Sequence, residues 1–152
     1  MMKKKGKTAS EISKIGKKII WNMDIPPYSQ QCIVSCNGQM KDIVKFMKSL
    51  KLTDGAKETL KQLEDPNRKD YYFEHLKENH GRLFVDLPTG YILIINHSNR
   101  DWIDTTCNVA HEANHLSQYV LRNAGIQLQQ ETEEAYTYLQ AQILKEILKK
   151  IY

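Results

Sequence analysis

Apolar positions recur along this chain with two periods, and each period predicts its own elements. Residues 31–36, Gln-Cys-Ile-Val-Ser-Cys, are short and β-prone and run into the turn dipeptide Asn37-Gly38, which predicts a strand. Ile43, Val44, Phe46, Met47 and Leu50 then recur at three and four, the spacing of a helix that buries one face and ends near Lys51. Residues 82–87 and 91–96 flank Pro88-Thr89-Gly90 and predict a β-hairpin. The second of these runs is apolar without interruption from Tyr91 through Ile95, as a strand covered on both faces requires.

Beyond the hairpin the period becomes helical. Ser98 or Asp101 is placed to cap a helix running through Trp102 and His111 to about Asn123, with Gly125 as its stop. Residues 127–130 connect it to a last helix beginning around Thr132. Glu133 and Glu134 lie in the first turn of that helix and Lys145, Lys149 and Lys150 near its end, both placements favoured by the helix dipole. Leu139, Ile143, Leu144, Ile147 and Ile151 form its apolar stripe. Upstream, Ile12, Ile15, Ile19 and Ile20 predict an amphipathic helix over residues 9–20, closed off by Pro26-Pro27. Residues 53–80 read as short helices and exposed loops anchored by Leu60, Leu63, Tyr72, Phe73 and Leu76. The expected fold is α+β, a small sheet including the hairpin packed on the two C-terminal helices, with the helices before Asp70 covering the rest.

Composition narrows the class. At 152 residues, 41% hydrophobic and 26% charged, the chain resembles ordinary globular proteins. The first twenty residues hold seven lysines against one glutamate, so the remainder of a chain with net charge +4 is mildly acidic. This division predicts a disordered basic tail over residues 1–8 and a single domain over residues 9–152. It leaves no broad basic face for nucleic acid, only weak contact through the tail. No apolar run approaches the roughly 20 residues that span a bilayer, so no membrane partner is expected. Cys32, Cys36 and Cys107 make an odd number of cysteines, which argues for reduced thiols and a cytoplasmic setting. Cys32 and Cys36 share a strand face and read as small buried hydrophobes, in preference to a metal or redox pair. Cys107 reads as a packing residue too.

The residues that carry chemistry are His111-Glu112-Ala113-Asn114-His115. On a helix, positions i and i+4 share a face, so two imidazoles converge on one metal ion. Glu112, one residue round, reaches instead toward an open coordination position, where a water needs a base. A catalytic zinc takes three protein ligands, and the third is expected on the next helix. Glu134 is the first choice, with eighteen residues between it and His115, and Glu133 and Glu131 are the alternatives. His75 and His80 sit in a charged segment and read as exposed.

His-Glu-x-x-His, eighteen residues, then Glu resembles the gluzincin branch of the zincin metallopeptidases over about a third of the chain. Glu134-Ala135-Tyr136-Thr137-Tyr138-Leu139 is also similar to small phage-encoded zincin-like proteins. The resemblance implies a zinc-dependent peptidase with one Zn²⁺ per chain held by His111, His115 and Glu134. Glu112 would be the general base, and a peptide or protein substrate would pair with a sheet edge beside the active-site helix. It also implies a bacterial or phage-infected cell as the setting. Four residues past the glutamate, where gluzincins often carry an acidic or small polar group, stands Tyr138. Orientation of a histidine would then fall to Asp104 or Asn108. No oxyanion-stabilising group is singled out from Tyr119, Tyr136, Tyr138 and His97. The rival expectation is a catalytically silent zincin-like binding or structural protein associated with a phage, which the small size favours and the presence of Glu112 opposes.

Overall fold

A computed structural model describes residues 17–28, 30–50, 54–67, 81–87, 90–96 and 101–152. The expected tail, the proposed helix before Lys17, the anchors Tyr72, Phe73 and Leu76, and His75, His80, His97 and Ser98 lie outside them. The described residues form a mixed α+β fold. In chain order its elements are β1 (Ile19–Ile25), β2 (Gln30–Cys36), α1 (Met40–Ser49), α2 (Asp54–Glu64), β3 (Gly81–Leu87), β4 (Gly90–Ile95), α3 (Trp102–Asn123), a short 3₁₀ turn (Gln130–Thr132) and α4 (Glu133–Ile151).

The four strands lie in the order β1-β2-β4-β3. β1 and β2 are antiparallel, β2 and β4 parallel, and β4 and β3 antiparallel. Because side chains alternate along a strand, each strand feeds two cores. On one face, Val34 and Cys36 of β2 and Leu93 and Ile95 of β4 pack with Val109 and Leu116 of α3 and Ile143 and Ile147 of α4. On the other, Ile92 and Ile94 of β4 and Phe84 of β3 pack with Met40, Ile43 and Met47 of α1 and Leu63 of α2. The result is three layers, helix, sheet and helix, with every residue from Tyr91 to Ile95 buried. The uninterrupted apolar run of β4 has its cause in that double coverage.

Ile19 and Ile20 depart from the expected N-terminal helix. They open β1, paired with Cys36 and Ser35 of β2, and they pack toward opposite layers, Ile19 with the α3–α4 core and Ile20 with the α1–α2 core. Two residues at positions i and i+1 satisfy a two-sided sheet as readily as a helical stripe, and strand pairing decides between them.

α3 begins where the Asp101 carboxylate accepts a 2.8 Å hydrogen bond from the Asp104 amide, the capping geometry that satisfies a free helix N–H. It ends at Asn123, and just beyond it Gly125, with a φ of +79°, takes the left-handed conformation a glycine stop supplies. α4 returns antiparallel to α3. The Gln140 amide donates to Ala110 O at 3.3 Å, the Tyr152 hydroxyl to Trp102 O at 3.2 Å and the Tyr136 hydroxyl to Ile126 O at 2.7 Å. A part-buried polar chain ties this helical pair to the sheet: Asn123 donates to the Tyr91 hydroxyl and Tyr91 to Gln30, each at 2.7 Å. Among the described residues, no helix is long and apolar enough to cross a membrane.

Leu93 is fully buried at the centre of the sheet, so Leu93→Ala should remove about 2–5 kcal/mol of stability. Denaturant unfolding measures it, and a loss below about 1 kcal/mol would contradict the packing described.

Candidate metal centre

The mid-section of α3 carries the His-Glu-x-x-His residues. Helical spacing stacks His111 and His115 one turn apart, and their Nε2 atoms approach to 3.0 Å. The rings stand nearly perpendicular, at 82°, with centroids 4.6 Å apart. Two nitrogens at roughly 2.0–2.1 Å from one tetrahedral metal are separated by about 3.3 Å. The two Nε2 atoms meet at hydrogen-bonding distance, within a few tenths of an ångström of chelating spacing, and two imidazole nitrogens are donors that suit zinc.

Glu112, one residue round the helix, packs against β3. Its side chain lies beneath β3 and only 6% of the residue is exposed. Burial raises its carboxyl above the ordinary value of 4.5, and the charges of His111, His115 and Arg82 pull partly against that rise. Loss of water disfavours the anion, so the group holds a proton more strongly than a surface glutamate does.

A cleft of about 270 Å³ opens beside this carboxylate, lined by Gly81, Arg82 and Leu83 of β3 and by Glu112, His115 and Tyr119 of α3. β3 is an edge strand of the four-stranded sheet. Gly81 and Leu83 pair with Ile95 and Leu93, whose side chains face α3, whereas Arg82 and Phe84 belong to the opposite face. The Arg82 guanidinium lies 5.6 Å from the Phe84 ring centroid. Arg82 thus contributes charge at the rim and does not point into the gap between β3 and α3. On the far flank of the cleft, the Arg122 guanidinium lies 5.7 Å from the Tyr119 ring centroid.

The structure brings His111, His115 and Glu112 together and leaves Glu134 apart. Glu134 is exposed in the first turn of α4. The register set by the Gln140–Ala110 and Tyr152–Trp102 bonds puts that turn level with residues 116–120, just past His115. Glu131 and Glu133 are exposed as well. Among the described residues, no three His, Cys, Asp or Glu side chains converge on a common point; the histidines form a two-nitrogen site in this arrangement.

Other expected residues sort by their contacts. Tyr136 spends its hydroxyl on Ile126 O. Tyr138 is 73% exposed, while Tyr119 lines the cleft. Asp104 stands exposed in the cap turn of α3 and makes no hydrogen bond to His111 among the described residues. Cys107 is exposed, contrary to the packing role expected of it, because its face of α3 meets neither the sheet nor α4. Cys32 and Cys36 are fully buried in the α3–α4 core. Burial pushes the Cys36 thiol up to about 12 and raises that of Cys32 as well, so both remain protonated hydrophobes.

Gly81 and Leu83 are the cleft residues that motif reading passes over. The one sequence signal is a glycine directly before an apolar strand, which on its own marks only a boundary. No protein-family model, curated protein or solved structure matches the chain.

The raised Glu112 carboxyl makes the native state bind more protons than the unfolded chain above pH 4.5, and stability falls as pH rises through that window. In chelator-treated protein, Glu112→Gln removes this penalty. The variant should be the more stable of the two at pH 7 and lose its advantage near pH 4. Urea unfolding at the two pH values reads the difference, and equal stability of the two proteins at pH 7 would refute the burial cost.

Proposed function

We propose that this protein is a zinc-dependent metallopeptidase that hydrolyses peptide bonds, with His111, His115 and Glu134 as metal ligands and Glu112 as general base. The observation that carries the reading is the 3.0 Å convergence of the two Nε2 atoms beside a buried glutamate. A bound zinc supplies Lewis acidity to the cleft.

The chain's own groups supply the rest. Glu112, more basic than a surface carboxylate, accepts a proton from the attacking water and returns it to the leaving nitrogen. The edge strand β3 offers its backbone to an extended peptide, which would lie across the cleft in front of Glu112. Glu134, on the turn level with the residues just after His115, is the carboxylate assigned to complete the ligand set. Three free cysteines suit a reducing, cytoplasmic setting.

A second reading draws support from the cleft. At about 270 Å³ it falls just below the range of small-molecule ligand sites, roughly 300 to 1,000 Å³. That size suits a zincin-like domain that binds a partner without cleaving it.

Metal analysis of the purified chain separates these readings. Wild type should carry one zinc. His111→Ala, His115→Ala and Glu134→Ala should lose it, and Glu112→Gln should keep it while hydrolysing a mixed peptide library about 10²–10⁴-fold more slowly. Zinc retained without hydrolysis by wild type would favour the binding domain. A wild-type chain that takes up no added zinc would overturn both.

A further inference from the structure

Gly81 touches the general base. A Cβ placed on this residue would stand 2.7 Å from Glu112 Cγ, 2.9 Å from Oε1 and 3.0 Å from Cδ, closer than carbon and oxygen pack. The glycine is needed for this approach and not for its backbone angles, since its φ lies outside the left-handed region. It also faces α3, because its register partner Ile95 packs in the α3–α4 core. The three nearest atoms the added methyl would meet all belong to the end of Glu112 that carries the carboxylate, and none to His111 or His115.

We infer that Gly81 is a positioning residue: the missing side chain on β3 lets the Glu112 carboxylate lie flush against the strand that borders the cleft, so β3 sets where the base stands. This rests on the peptidase reading for its catalytic consequence but not for its geometry. The metal-binding pair takes its spacing from α3 alone. The base takes its position from the contact between α3 and β3. If β3 also carries the substrate, base and substrate are referenced to the same strand, which is how a shallow cleft holds a proton acceptor and a carbonyl in register. Any side chain at position 81 should then move the base and leave the metal ligands undisturbed.

The test is a double-mutant cycle between Gly81→Ala and Glu112→Ala, read by thermal unfolding, because Glu112→Ala deletes the three atoms nearest the new methyl. In the wild-type background, Gly81→Ala should lower Tm by about 3–10 °C. In the Glu112→Ala background the loss should shrink to within about 1 °C. Equal losses in both backgrounds would overturn the inference. If Gly81→Ala alone fails to fold, a folded double variant supports the inference and an unfolded one refutes it. Metal content and kinetics separate positioning from plain destabilisation: Gly81→Ala should keep the wild-type zinc content and KM while kcat on a peptide substrate falls tenfold or more. A fall in zinc content that matches the fall in kcat would refute the positioning role. A wild-type chain without zinc or hydrolysis defeats the peptidase reading and leaves the unfolding cycle to decide the contact itself.

Discussion

β4 is buried on both faces, and the two helical layers meet through it. Leu93 and Ile95 belong to the core shared with α3 and α4, Ile92 and Ile94 to the core shared with α1 and α2. Such a strand cannot expose either face without opening a core, so its neighbours are held in register on both sides. β3 inherits its position from pairing with β4, and α3 inherits its position from packing on the same strand. The cleft between β3 and α3 is therefore a by-product of one strand's double burial.

Within that frame the site combines a local device with a tertiary one. The two histidines need only a regular helix, because a turn of helix supplies their separation. Glu112 needs the sheet. Its carboxylate is carried under β3, where desolvation raises its proton affinity, and burying the anion there has an energetic cost. The exposed ion pairs elsewhere, such as Lys18–Asp42 and Lys149–Glu146, contribute little by comparison. Stability resides in the two cores, and the site sits at the rim of one of them.

Much of this architecture was legible in the chain. The hairpin, the helix from its Asp101 cap to its Gly125 stop, and the final helix with its stripe of Leu139, Ile143, Ile147 and Ile151 follow from capping chemistry and periodicity, which act over a few residues. Cys32 and Cys36 were legible as buried hydrophobes from their two-residue alternation. Ile19 and Ile20 were not legible as strand, because a pair of adjacent apolar residues fits either period until β2 is present to pair with them. Cys107 was misjudged for a related reason: a cysteine within an amphipathic helix gives no sign of which flank is left without a neighbour.

The sequence by itself determined the chemistry available, two imidazoles and a carboxylate at helical spacing, because those relations live within one turn of a helix. It determined the elements too, through local periodicity and end signals. Only the tertiary structure decided which of those groups share a cleft. It seated Glu112 against Gly81, turned Arg82 to the opposite face, and left Glu134 exposed on a neighbouring helix. These outcomes depend on strand order and on the register between elements far apart in the chain, and no pattern confined to a few residues encodes them.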